Sequence, residues 1–218
     1  MGAMQEHTVS NDVRFHGVWL HNGRDANVTI KPAPVNAGIV FERSDLVNGA
    51  RKGRFIKVDP FLVSETRLGT TLRNDAGVAV STVEHLLAAL AIAGVCNAVV
   101  EIDNEELPIL DGSAAPFVSA IVAAGRVEQK ADQHPIGIDT PLKVTDGDRF
   151  IRIDPASSLS FDVTIDFGDC VIGKRNLVLP FDDLQNRQRL AMSRTFCRLG
   201  DVEQMRDAGL IRGGSLEN

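Results

Sequence analysis

The chain has 218 residues, 44% of them hydrophobic and 24% charged, which suits a packed globular fold and excludes wholesale disorder. Lys and Arg number 23 against 29 Asp and Glu, and the net charge of −6 counts against a nucleic-acid partner, whose phosphates call for a basic surface. No run approaches the ~18–20 apolar residues that cross a bilayer, and the N-terminal stretch lacks the basic flank and apolar run of a secretion signal. Cys96, Cys170 and Cys197 are widely spaced and odd in number, so free thiols in a reducing compartment are expected. Together these features predict a soluble, cytoplasmic protein with no transmembrane segment.

Residues 1–11 are polar and read as a tail. From there the apolar period is mostly two. A first hairpin is expected from Val18-Trp19-Leu20 and residues 26–31, turning on His21-Asn22-Gly23-Arg24-Asp25, where Asn-Gly suits positive φ. Pro32 and Pro34 end that strand because proline gives no N–H to a ladder. Residues 38–43 start another strand. A second hairpin joins residues 70–72 to 78–80 through Asn74-Asp75-Ala76-Gly77.

The period then becomes helical. Val83, Leu86, Leu87 and Leu90 share one face of a helix that Gly94 ends in the left-handed conformation. Residues 98–102 form a strand, and a second helix over 115–124, with Ser113 as its N-cap, stops at Gly125. Residues 127–141 are polar with two prolines and read as a linker. Strands are expected again over 142–144, 149–153 and 160–167, then helices over 182–192 and 201–208. The expected fold class is therefore α+β, a two-layer sandwich repeated in two units, residues 12–126 and 142–218, the second short by a strand and a helix.

Few residues suggest chemistry. Gly168-Asp169-Cys170-Val171-Ile172-Gly173-Lys174 resembles a phosphate-cradling loop, but Arg175 replaces the required Ser or Thr, so the match reads as chance. His7, His16, His21 and His134 read as surface or structural histidines. Asp103, Glu105 and Glu106 read as solvated loop charges, and Asp111 as bonding its own turn. Glu84-His85, in the first turn of an apolar helix, is the exception. Ser81-x-x-Glu84 fits a capping box, which would occupy Glu84 structurally. Equally, an imidazole can bind a metal while the neighbouring carboxylate takes a proton from water, although a hydrolytic zinc site needs about three protein ligands.

Two longer stretches carry a resemblance. Ser81-Thr82-Val83-Glu84-His85-Leu86-Leu87-Ala88-Ala89-Leu90 and Pro108-Ile109-Leu110-Asp111-Gly112-Ser113-Ala114-Ala115-Pro116-Phe117-Val118 are similar to stretches of the UDP-3-O-acyl-N-acetylglucosamine deacetylases. Gly17-Val18-Trp19-Leu20-His21-Asn22-Gly23, Lys31-Pro32-Ala33-Pro34-Val35 and Arg194-Thr195-Phe196 extend it, so that it runs from Val13 to the end of the chain. The resemblance implies two facing α+β layers and a hydrolase of lipid A synthesis. It further implies that zinc-activated water removes acetate from a UDP-linked acylated amino sugar. Carried over, Glu84 is the general base, His85 the first zinc ligand, Thr195 the oxyanion-stabilising hydroxyl, and Phe167 and Phe196 substrate-side aromatics.

The family pattern continues into a strand and a helix with His-Lys-x-x-Asp, supplying the other two zinc ligands, and into a later histidine. None of these occurs in the 218 residues. The segment after Phe167 also departs from the family, with Asp169 where relatives often carry histidine. The expectation is a truncated, inactive form with an exposed edge able to self-associate. The alternative is a non-catalytic nucleotide-sugar-binding or regulatory protein derived from the enzyme.

Overall fold

A computed structural model describes residues 4–21, 23–46, 53–168, 171–207, 209–215 and 218. Readings that fall on Met1 to Ala3, Asn22, Asp169, Cys170 and Ala208 lie outside them. The chain is an α+β fold that separates into two compact units, Met1–Gln133 with Ala191–Asn218, and His134–Leu190. Residues 191–218, expected with the second unit, cluster with the first.

Unit 1 opens with β1 (Gln5–Val9), then β2 (Val13–Val18), β3 (Asp25–Pro32), β4 (Ile39–Arg43) and β5 (Phe55–Lys57). A 3-10 turn at Pro60–Leu62 leads to β6 (Val63–Glu65), β7 (Thr71–Arg73) and β8 (Ala79–Val80), a small three-stranded sheet. Helix α1 (Glu84–Ala93), β9 (Ala98–Ile102), α2 (Ala115–Ala124) and β10 (Arg126–Asp132) follow. The first hairpin forms from β2 and β3, with its first strand at Val13–Val18 where Val18-Trp19-Leu20 was expected, and the second forms from β7 and β8. Asn74 Oδ1 holds the second turn by accepting from the Ala76 and Val78 N–H groups, each at 3.0 Å.

The main sheet has the order β2-β3-β9-β4-β5. β9 is thus inserted between two earlier strands, antiparallel to β3 and parallel to β4. Its alternation puts Ala98, Val100 and Ile102 on the buried face, where they meet Val28, Ile30 and Phe41. Leu86 and Leu90 of α1, and Phe117 and Ile121 of α2, close the same core. The Phe15 and Phe117 rings meet edge to face, with centroids 4.9 Å apart. Gly94 ends α1 at φ 72° and its N–H returns to the Ala91 and Leu90 carbonyls.

Two segments differ from expectation in the same way. Residues 5–9, read as tail, form β1, and the first residues of the stretch read as linker, 127–132, belong to β10. The two pair antiparallel, Val9 opposite Arg126 and Gln5 opposite Asp132. Each is polar and short, so neither shows a strand period alone; their long-range pairing orders both. Thr8 and Val9 are buried, and Glu6 accepts from Asn36 N–H and Asn97 Nδ2, so this N-terminal strand belongs to the fold.

Unit 2 contains two hairpins, β11 (Leu142–Asp146) with β12 (Arg149–Ile153), and β13 (Ser160–Asp166) with β14 (Lys174–Pro180). β14 was not anticipated. Between β13 and β14, Phe167 N–H donates to Gly173 O at 3.2 Å. A strand begins at Lys174, whereas a phosphate-cradling loop feeds a helix. Helix α3 (Leu184–Ala191) ends this region, and α4 (Leu199–Asp207) lies in unit 1. No helix among the described residues is long and apolar enough to cross a membrane.

Candidate active site

A cavity of about 850 Å3 opens in unit 1, with Glu84, His21, Thr195 and Phe196 on its wall. Leu68, Leu199, Val202, Met205 and Ile211 make much of the remainder apolar. The volume lies in the range of small-molecule sites, and a few polar groups in an apolar wall are their usual composition.

Glu84 is the first residue of α1, but the capping box does not form. Thr82 has φ 57° and breaks the helical path before Ser81 can cap it. Ser81 instead lies extended, its N–H bonded to Glu105 O at 2.8 Å and its carbonyl accepting from Leu107 N–H at 3.1 Å. The Glu84 carboxylate turns to the 66–70 loop, where Oε2 accepts from Thr70 N–H at 2.9 Å. Gly69 keeps that loop close; a β-carbon there would stand 3.4 Å from Glu84 Oε1. One carboxylate oxygen is therefore held and the group faces the cavity.

The second of the two long stretches, Pro108 to Val118, places Thr195. Asp111 Oδ1 accepts from Ser113 N–H and Ser113 Oγ, at 2.9 and 2.8 Å, so Asp111 bonds its own turn as expected. Ser113 is one residue before the N-cap position, yet its Oγ accepts from Ala115 N–H at 3.1 Å. The shaped loop presents Gly112 O, which accepts from Thr195 N–H at 2.8 Å, while Ala114 N–H donates to Ala191 O at 3.0 Å. Gly112 is at φ 78°, and its missing side chain leaves room for Asn218 backbone at 3.1 Å and Thr195 Cγ2 at 3.6 Å.

Glu106 was expected to be solvated but is 2% exposed. Its Oε1 accepts from His21 N–H at 3.1 Å and Thr82 Oγ1 at 3.3 Å, tying the first hairpin turn to the entry of α1. His21, read as structural, lines the cavity, and its Nδ1 is buried without a hydrogen-bond partner. The only sequence signal for it was its place in the 17–23 stretch. Four non-glycine residues with positive φ gather here: Leu68 and Ile211 on the wall, Thr82 before Glu84, and Leu110 beside Ile109. Held backbone strain of this kind concentrates at functional sites.

Glu84, Thr195 and Phe196 thus share one cavity. His85 follows Glu84 on α1, half-buried, and is not part of the wall. Phe167 stands at the end of β13 in unit 2. A hydrolytic zinc site takes about three protein ligands. Among the described residues no group of three His, Cys, Asp or Glu is close enough to hold a metal.

The profile of the UDP-3-O-acyl N-acetylglycosamine deacetylases matches residues 6–218. The chain belongs to that family. A relative named UDP-3-O-acyl-N-acetylglucosamine deacetylase from Phenylobacterium zucineum is 46% identical over 215 residues, which span 99% of this chain and 72% of the relative. Proteins of the same name from Acidithiobacillus ferrooxidans and an Anaeromyxobacter species are 42% and 40% identical over 99% and 98% of this chain. They are covered over 70% and 68% of their own lengths. Family membership agrees with both long stretches, and both build the cavity wall.

Proposed function

We propose that the unit 1 cavity binds a UDP-linked 3-O-acyl-N-acetylglucosamine, and that its chemistry is hydrolytic deacetylation in lipid A synthesis. The observation that carries this reading is the shared wall of Glu84, Thr195 and Phe196 in a family whose relatives are named for that reaction. The apolar side, Leu68 to Ile211, suits the substrate's acyl chain. Phe196 is the substrate-binding aromatic on this wall, and the same role for Phe167 rests on the family resemblance alone.

In the reaction, the Glu84 carboxylate takes a proton from water as its oxygen attacks the acetamide carbonyl carbon. The Thr195 hydroxyl donates to the oxyanion that forms. The C–N bond then breaks, the amine nitrogen takes the proton held by Glu84, and acetate leaves. Thr70 N–H keeps the carboxylate oriented throughout.

Zinc belongs to this reading through the family, with His85 as one ligand. One ligand holds zinc far more weakly than three, so no step here is routed through the metal. The 218 residues by themselves are accordingly inactive while retaining the substrate cavity.

Calorimetric titration of the 218-residue chain with UDP-3-O-acyl-N-acetylglucosamine, beside an acetate-release assay with and without zinc, tests both parts. Saturable binding without acetate release is expected. A folded chain that fails to bind overturns the substrate reading, and zinc-stimulated acetate release by this chain alone overturns the one-ligand reading.

A further inference from the structure

Helix α4 presents one face to the cavity. Leu199, Val202, Met205 and Arg206 share that face at helical spacings of three and four, while Glu203 and Gln204 are exposed. The first three are apolar. Arg206 is the one lysine or arginine among the described residues of the wall. It stands in the last turn, about 10 Å along the helix from Leu199 at ~1.5 Å per residue.

The guanidinium has a fixed neighbour. Arg206 Nη2 donates to Gly214 O at 3.3 Å, and Gly214 is itself part of the wall. Gly214 N–H is bonded to the carbonyl of buried Ile211 at 3.0 Å, and a β-carbon at 214 would stand 3.1 Å from that same oxygen. The charged end of one side chain thus ties the α4 face to the 211–215 segment. An arginine on a cavity wall often meets a phosphate, but this one is badly placed for that. The last turn of a helix presents carbonyl oxygens, the negative end of its dipole, which disfavours an anion.

An acyl chain meets the opposite situation. Each methylene that moves from water onto apolar wall gains about fourfold in affinity. At the guanidinium the gain stops, because the next methylene must strip water from a charge or break its bond to Gly214 O. We propose that Arg206 sets the acyl-chain length the cavity accepts. Leu199, Val202 and Met205 carry the methylenes, and the guanidinium anchored on Gly214 O ends the run. An extended chain advances about 1.3 Å per carbon for C–C bonds of ~1.5 Å, so this face takes about eight methylenes. Arg206 is a specificity-determining residue here and not a catalytic one. The inference rests on the deacetylation reading for its ligand and adds the residue that reads the chain.

The test is calorimetric titration of the full 218-residue chain with UDP and with UDP-3-O-acyl-N-acetylglucosamines of stepwise longer acyl chains, below micelle-forming concentrations. Wild-type affinity should climb about fourfold per methylene and then break to a plateau. Arg206→Met keeps an unbranched stem and removes the charge. Its break should move to longer chains, with about fourfold gained by each further methylene, while shorter members bind as in wild type. Arg206→Lys returns a charge to the end of the stem and should restore a break near the wild-type length. The same break in Arg206→Met as in wild type overturns the proposal, as does wild-type binding that ignores chain length. Weakening by one factor at every length marks a strut that only holds the wall, and weakening that UDP alone also shows marks a diphosphate contact; either overturns it. Failure of folded wild type to bind UDP and every acylated member overturns the substrate reading, and this inference with it. Length-dependent binding with an unmoved break overturns the Arg206 assignment alone.

Discussion

Gly213→Ala tests whether the segment after α4 is held against the first hairpin turn as the structure describes. A β-carbon at residue 213 would overlap the Trp19 carbonyl oxygen and stand 3.0 Å from both Trp19 C and Val18 Cγ1. Trp19 is fully buried and its N–H is bonded to Arg24 O at 2.8 Å, so the turn cannot move aside. The segment must lift instead. That removes Gly213 N–H to Leu20 O at 3.0 Å and Arg212 N–H to His21 O at 3.1 Å. At about 1 kcal/mol for each bond, and ~1–3 kcal/mol for an overpacked site, the local docking loses about 3 kcal/mol. Exchange of the Arg212 and Gly213 amides should then quicken by roughly a hundredfold, since ~1.4 kcal/mol is a factor of ten. Ile211 and Gly214 leave the cavity wall with the segment, so substrate affinity falls as well. Wild-type protection of both amides in the Ala variant would refute the close approach. Gly200→Ala is the matched control: in α4, with no atom within 4 Å of the new carbon, it should stabilise by about 0.4–1 kcal/mol.

Glu84→Gln keeps an oxygen for Thr70 N–H and should leave stability within about 0.5 kcal/mol, whereas Glu84→Ala should cost about 1–3 kcal/mol in urea unfolding. In a chain extended by the portion of the Phenylobacterium zucineum relative outside the match, Glu84→Gln should cut acetate release by about 10²–10⁴-fold, and a variant as active as wild type would remove Glu84 from the mechanism. Phe117→Ala, at a fully buried ring packed on Phe15, should cost about 3–5 kcal/mol, read as a lower urea midpoint. The hydrogen bond and charge of Glu101 raise the Lys31 pKa above its ordinary value. Because the folded value is the higher one, the contribution is full below about pH 10.4 and is lost as pH rises through the folded pKa. Lys31→Met should therefore cost only ~0.2–1 kcal/mol at pH 8, as the pair is well exposed, and nothing in strong alkali; an unchanged cost there would contradict the assignment.

Local chemistry made much of this protein legible in its sequence. Asn74 to Gly77 and Gly23 are turn residues wherever they stand, and a helical apolar stripe ending in Gly94 stops at that residue whatever surrounds it. The stretches around Glu84 and Asp111 identified the family because they specify a helix entry and a tight loop in consecutive residues. Other features depended on partners distant in the chain. Gln5–Val9 and Arg126–Asp132 are unremarkable polar segments until they pair, and β9 shows a strand period without showing which two strands it divides. Glu106 looked like any loop carboxylate, yet it is buried because His21 N–H and Thr82 Oγ1 converge on it. The capping box failed for the same kind of reason. Ser81 was taken by residues 105 and 107, which left Glu84 to bond Thr70 and face the cavity. Turns and periods are set by a residue and its neighbours, so sequence alone determined them. Strand order, the burial of a single polar group and the direction of a carboxylate are settled by competition among distant groups, which only the folded chain brings together.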